Sequence, residues 1–215
     1  EAVLTNMNPQ ELVDRIHNQN SYKHRILYYG PSSSKDLLAT INQYHQVPAA
    51  LKDIPAGNEY SYLETPVTKV LVAPYDAKQI YMAQISNLDK KYDPAIEPIR
   101  ALYDEYFGGG MNSIVFQEMR ETRGLAYSAW ASIMPPSYLK YPYVLRTQIA
   151  TQNDKMIDAV TTFNDIINNM PESEAAFKLA KDGLTNRLRT ERIIKGDIIW
   201  SYINAQDLGQ NVDPR

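Results

Sequence analysis

Two pairs of β-rich runs, each pair joined by a short proline-containing segment, constrain the fold of this chain more than any other feature. The first pair covers residues 69–73 and 79–86, and the second covers 125–133 and 143–151. This spacing suits hairpins, so we expect each pair to form antiparallel strands. A fifth run, residues 24–29, alternates around apolar side chains and also predicts a strand.

Helical patterns precede and follow these runs. Asn8-Pro9 places a capping side chain before a proline at the first helical position, which predicts a helix over residues 9–19. Gly124 is suited to end another helix, over residues 113–123, in the left-handed conformation. Helices grouped before and after hairpin strands predict an α+β fold, an antiparallel sheet with helices packed on one face.

The organisation of the chain follows from a stretch without a sustained hydrophobic period. Residues 48–66 contain three prolines and predict a connector that runs over the surface. We therefore expect a strand–helix portion over 1–47 and a main α+β portion over 67–215. The chain begins with Glu1 and no signal-peptide pattern follows, which indicates a piece of a longer protein.

Composition excludes several classes of function. The net charge of −3 provides no excess of positive charge for a phosphate backbone, so we expect no nucleic-acid partner. The longest uncharged stretch, residues 124–139, is shorter than a bilayer crossing, so we expect no membrane span. The absence of cysteine excludes disulfides, thiolate metal sites and a cysteine nucleophile.

The three histidines do not form a local metal motif. His17, His24 and His45 lie far from the His-x-x-Glu-His or His-Glu-x-x-His spacing of zinc peptidases, so we expect surface or structural roles. Their convergence in space stays open at this point. No Gly-x-Ser-x-Gly sequence supports a serine hydrolase.

Residues 108–131 are the most informative segment. Gly108-Gly109-Gly110 precedes a helix, which suggests either a turn or a loop that admits another backbone. A nucleotide cradle lacks its companion residues here and is a distant alternative. If the chain returns as a strand after Gly124, Arg120 and Tyr127 approach one another and offer hydrogen-bond donors. The competing interpretation is an Arg paired with a neighbouring glutamate and a Tyr in the core.

The same segment resembles a known family. Its Gly108-Gly109-Gly110-Met111-Asn112-Ser113 run, followed by Arg120-Glu121 and Gly124-Leu125-Ala126-Tyr127-Ser128, is similar to the block found in pitrilysin/insulinase-type zinc peptidases, which include mitochondrial processing peptidase. Those proteins are built from repeated α+β domains whose two halves close over a peptide.

The resemblance implies different roles for the two halves. One half of such peptidases carries the zinc motif, and the metal-free half contributes Arg and Tyr to the substrate. The zinc motif is missing here, so the chain resembles the metal-free half, without a cofactor or catalytic residue of its own. The resemblance implies substrate contact by Arg120, Tyr127 and Gly108, Gly109 and Gly110, and a zinc-bearing partner half in cis or in trans.

A second function stays open at this stage. Some relatives with this architecture have lost peptidase activity and serve as structural or assembly proteins, so the alternative is a scaffold role. Both Arg120 and Tyr127 are present in this chain, which favours the substrate-contacting role.

Overall fold

A computed structural model describes residues 5–58, 60, 62 and 64–210. The chain divides into two units, Glu1–Tyr60 with Ile194–Trp200, and Ser61–Ile193 with Ser201–Arg215. The boundaries predicted from the sequence, after residues 47 and 66, stay predictions.

Two helices of the first unit, among its described residues, have side-chain caps. Helix α1 covers Pro9–Gln19, as predicted, and the Asn8 side chain accepts a hydrogen bond from the Gln10 N–H at 2.9 Å. Helix α2 covers Ser34–Tyr44 and is capped by Ser33. These caps satisfy backbone donors that have no partner within the helix, which fixes where each helix starts.

The strand predicted over residues 24–29 is wrong. In the described part of this unit, the only bridge of strand type is an isolated parallel one between Tyr22 and Lys52. Ile26 is 51% exposed, so its alternating apolar pattern packs against no neighbouring strand. A β-rich run forms a strand only where another backbone pairs with it.

The second unit contains an antiparallel sheet of three strands among the described residues. Strand β1 covers Gln79–Lys91, β2 covers Ser128–Met134 and β3 covers Pro142–Gln152, in the order β1-β3-β2. The predicted hairpin over 125–133 and 143–151 is confirmed, because β2 pairs with β3.

The other predicted hairpin is not formed. Residues 69–73 have no strand structure, and β1 pairs with β3 instead, which leaves the far side of β1 as an open edge. The two β-rich runs are close in sequence, but the ladder that β1 forms is with a strand more than fifty residues away.

Helices cover one face of the sheet, which confirms the α+β fold. Phe107, Val115, Met119 and Phe163 are fully buried and pack in one cluster with the sheet residue Ile149. The helices of this unit are α3 (Glu97–Phe107), α4 (Ile114–Phe116, continued by a π-helix over Gln117–Thr122), α5 (Met156–Asn168) and α6 (Glu174–Thr190), and α7 (Gly196–Asp207) has residues in both units.

Candidate functional site

Residues 113–127 form a helix-to-strand corner, hereafter the corner. The buried Ser113 side chain caps α4 by accepting from the Phe116 N–H at 3.4 Å. The helix then widens into the π-helix Gln117–Thr122, which contains Arg120. Short π-helical segments occur frequently at functional sites. The sequence analysis predicted a helix over this region but not its π-helical form.

Gly124 turns the chain from the helix towards the sheet. Its φ of 56° lies in the left-handed region, as predicted from its position after the helix. The N–H groups of Leu125 and Ala126 both donate to the Met119 carbonyl, at 2.8 and 3.1 Å. The Tyr127 N–H then donates to the Ala150 carbonyl of β3 at 2.9 Å. Backbone bonds therefore hold both ends of the corner.

The corner brings Arg120 and Tyr127 together. The guanidinium carbon of Arg120 lies 5.6 Å from the Tyr127 ring centroid and 5.1 Å from that of Phe116, within the range of cation–π attraction. The Arg120 side chain is 45% exposed and Tyr127 is 70% exposed. The guanidinium therefore lies against the Tyr127 ring while both side chains remain exposed to solvent.

The competing interpretation of these two residues is confirmed for the arginine and wrong for the tyrosine. The Nε atom of Arg120 pairs with the Glu121 carboxylate at 3.5 Å, whereas Glu118 pairs with Arg123 at 3.3 Å. An exposed ion pair of this kind contributes little to stability. Tyr127 does not pack in the core, since most of its surface is exposed.

A cleft of about 240 Å³ lies beside Tyr127. Lys155 closes one side of it and donates to the Gly124 carbonyl at 3.0 Å. The Thr151 hydroxyl donates to the Leu125 carbonyl at 2.6 Å. The sequence analysis missed both residues, because only the pairing of β3 with the corner brings them near Tyr127. Both donors are therefore already bonded to main-chain carbonyls of the corner, and the residues that line the cleft include Tyr127 but not Arg120.

The three glycines have different surroundings. A Cβ on Gly108 would lie 2.1 Å from the Ala131 carbonyl oxygen, so this buried glycine allows α3 to approach β2 closely. A Cβ on Gly109 would lie 2.7 Å from the Asp104 carbonyl oxygen, whereas one on Gly110 would meet nothing within 4 Å. Gly110 lines a small cleft against α6, which does not include Arg120 or Tyr127.

A partly buried carboxylate, that of Asp104, joins α3 to β2, the strand that follows the corner. Asp104 accepts hydrogen bonds from the Ile133 N–H at 2.8 Å and the Ser132 hydroxyl at 3.0 Å, and it pairs with Arg100 at 2.7 Å. Burial raises the pKa of Asp104, and these hydrogen bonds oppose the increase. Asp104 therefore has a structural role, since its hydrogen bonds attach α3 to the C-terminal end of β2.

Among the described residues, no cluster of three or more potential metal ligands of the His, Asp or Glu type is found. His24 and His45 do meet in the first unit, with their Nε2 atoms 2.7 Å apart, which the sequence spacing did not predict. Nor does any helix in that part of the chain combine the length and apolar character that a bilayer crossing requires.

Comparisons with solved structures agree with the observed fold. The chain is similar to a protease from Helicobacter pylori (13% identity, TM-score 0.55, 84% of this chain and 44% of that chain). It is also similar to the periplasmic protease PqqL from Escherichia coli (14%, 0.55, 86% and 20%) and to a conserved protein from Enterococcus faecalis (17%, 0.54, 84% and 42%). The chain spans less than half the length of each of these proteins.

Sequence comparison identifies the family. A search of curated protein sequences finds no match. A family profile described as the peptidase M16 inactive domain matches residues 26–184, which is most of the chain and includes the whole corner. The chain therefore belongs to the family of peptidase M16 inactive domains.

Proposed function

We propose that this chain is the metal-free, substrate-contacting part of a zinc-dependent peptidase. In this proposal Arg120 and Tyr127 contact a peptide that is bound at a zinc ion in a separate half of the assembly, present in cis or in trans. The zinc would polarise the scissile carbonyl and activate water, and in this proposal the metal and its ligands belong to the other half.

The observation that carries the proposal is the joint exposure of two donors on a fixed corner. The guanidinium carbon of Arg120 lies 5.6 Å from the Tyr127 ring centroid, and main-chain hydrogen bonds of Leu125, Ala126 and Tyr127 fix the backbone of the corner. A substrate carbonyl or developing oxyanion needs donors that are already oriented. Each such donor contributes about 3 kcal/mol in a site from which water is excluded.

The run Gly108–Gly110 contributes only in part to the proposed contact with the substrate. Gly108 is buried against Ala131, so a contact with peptide backbone falls to Gly109 and Gly110. Gly110 has open space around it, which leaves room for another backbone.

Kinetics of the assembled peptidase test the proposal. We expect Arg120→Ala to lower kcat/KM about a hundredfold, the equivalent of ~3 kcal/mol, and Tyr127→Phe to lower it at least tenfold. Both side chains are exposed, so the melting temperature should change little. The matched control is Arg123→Ala, which removes an exposed arginine of the same corner that pairs with Glu118 at 3.3 Å and should leave kcat/KM unchanged.

The same experiment separates the two candidate functions. If this chain has only a scaffold role, assemblies that contain Arg120→Ala, Tyr127→Phe or Arg123→Ala should turn over peptide at the same rate as the assembly with the natural chain. That outcome would refute substrate contact by the corner and favour the structural role.

A further inference from the structure

Two of the three histidines of the chain, His24 and His45, face each other in the first unit. Their Nε2 atoms are 2.7 Å apart and their ring centroids are 4.9 Å apart, so the two nitrogen atoms lie between the rings. The function proposed for the corner does not involve this pair. Imidazole nitrogen is the protein ligand found most often on zinc and related metal ions.

The hydrogen bonds of the pair determine where its protons lie. The Nδ1 atom of His24 lies 2.6 Å from the Tyr22 carbonyl oxygen, which can only accept, so Nδ1 carries a proton. In the neutral ring the Nε2 atom of His24 then has a free lone pair, and the Nε2–H of His45 donates to it. A single proton therefore lies between two nitrogen atoms that can each bind a metal ion.

Backbone hydrogen bonds anchor both histidines. His45 follows the last residue of α2, and its N–H donates to a carbonyl of that helix at 2.8 Å. His24 follows Lys23, whose N–H donates to the Lys52 carbonyl at 2.8 Å. The Tyr22 carbonyl orients the His24 ring, which is how metal-binding histidines are commonly held. The two rings are thus positioned before a ligand arrives.

We propose that His24 and His45 bind one divalent transition-metal ion of the class of Zn²⁺ through their Nε2 atoms. The ion takes the place of the proton between the rings, and that proton moves through water to the Nδ1 atom of His45, so that each Nε2 atom offers a lone pair. Water completes the coordination, since the described residues bring no third His, Asp or Glu side chain to the pair. With two protein ligands instead of the usual three or four, the ion is exchangeable.

The dimensions of the pair are close to those that such an ion requires. Zn–N bonds of about 2.0–2.1 Å at a tetrahedral angle place two nitrogen ligands about 3.3 Å apart. From their distance of 2.7 Å, the Nε2 atoms have to separate by about 0.6 Å, and the rings have to tilt towards the ion. His24 is exposed, so its side chain has the space for this movement. Mg²⁺ prefers oxygen ligands and does not suit the pair.

This metal site does not depend on the function proposed for the corner. The histidines belong to the first unit, whereas Arg120 and Tyr127 belong to the second. Failure of the metal site would leave the roles of Arg120 and Tyr127 untouched.

Calorimetric titration of the natural chain with Zn²⁺ tests the proposal above neutral pH, where imidazole is unprotonated. The chain has three histidines and no cysteine, so few other strong ligands compete. We expect one Zn²⁺ ion per chain, with an affinity that excess Mg²⁺ does not lower. His24→Gln and His45→Gln should each lower the affinity about tenfold or more, since loss of even an outer-shell partner lowers metal affinity by about 10- to 100-fold. The matched control is His17→Gln, at an exposed histidine of α1, which should bind Zn²⁺ as the natural chain does.

NMR spectroscopy gives a second readout that needs no substitution. We expect Zn²⁺ to shift the imidazole Cε1–H signals of His24 and His45 and to leave that of His17 in place. Absence of Zn²⁺ binding by the natural chain would overturn the proposal. So would equal affinities of the three variants, or a loss of affinity confined to one of the two paired histidines.

Discussion

Substitution of Gly108 by Ala tests the close approach of the end of α3 to the backbone of β2. An ideal Cβ at this position would lie 2.1 Å from the carbonyl oxygen and 2.5 Å from the nitrogen of Ala131, more than an ångström inside ordinary contact. Ala131 is fully buried within β2 and pairs with Thr147 of β3, so its backbone cannot retreat without disturbing the sheet. Gly108 has a φ of −138°, so the penalty is steric.

The size of the effect follows from that geometry. Overpacking a well-packed interior costs about 1–3 kcal/mol, and a clash with backbone at the centre of a sheet belongs at the upper end. We expect Gly108→Ala to lower the free energy of unfolding by about 3 kcal/mol. With a urea dependence of about 2 kcal/mol/M, the unfolding midpoint decreases by about 1.5 M.

Urea denaturation followed by tryptophan fluorescence measures this change, and Gly110→Ala is its control. A Cβ at Gly110 meets nothing within 4 Å, so we expect this variant to unfold within about 0.5 kcal/mol of the natural chain. Equal midpoints for Gly108→Ala and Gly110→Ala would refute the reasoning.

Three further predictions concern the corner and the buried acids. Gly124→Ala places a Cβ at a φ of 56°, so we expect it to lower the free energy of unfolding, measured by urea denaturation, by about 1 kcal/mol. Gly124→Asn should lower it less, and no difference between Gly124→Ala and the natural chain would contradict the left-handed assignment. Burial raises the pKa of Asp104 above its ordinary 3.8, so the folded protein binds this proton more tightly than the unfolded chain. The stabilisation from the proton on Asp104 is therefore complete below about pH 3.8 and is lost as the pH rises through the raised pKa. Asp104→Asn should flatten this part of the curve of unfolding free energy against pH, measured by urea denaturation at several pH values. Burial also raises the pKa of Tyr103 and Tyr143 to about 12, so an alkaline absorbance titration should show phenols that ionise last, and Tyr143→Phe should remove one of them.

Local chemistry made the helix boundaries predictable. Asn8-Pro9 and Gly124 determine their own surroundings, because a cap or a left-handed turn depends on residues within one helical turn. The same holds for the approach of Arg120 to Tyr127, since only seven residues and one turn separate them.

Pairing of strands depended on distant partners and was harder to predict. Residues 24–29 and 69–73 have the composition of strands, yet neither forms one, because propensity does not specify which backbone supplies the hydrogen bonds. In β1 the partner is β3, and the turn-sized gap before Gln79 favoured the wrong neighbour.

The surroundings of the three glycines also depended on residues far away in the sequence and were not predicted. Gly108, Gly109 and Gly110 are equivalent in the sequence, but the backbone of Ala131 makes only the first of them a close contact with the sheet. Lys155 and Thr151 were missed for a related reason, since each reaches the corner from more than twenty residues away.

Photo-crosslinking tests the central claim most directly. Tyr127→p-benzoylphenylalanine in the proposed zinc-peptidase assembly places a reactive group on the exposed corner. The control is Tyr138→p-benzoylphenylalanine, at another tyrosine that is 51% exposed and lies in the β2–β3 connection. If the corner contacts substrate, a bound peptide should become linked at position 127 and not at 138. Linkage at neither position, or equal linkage at both, would contradict the account.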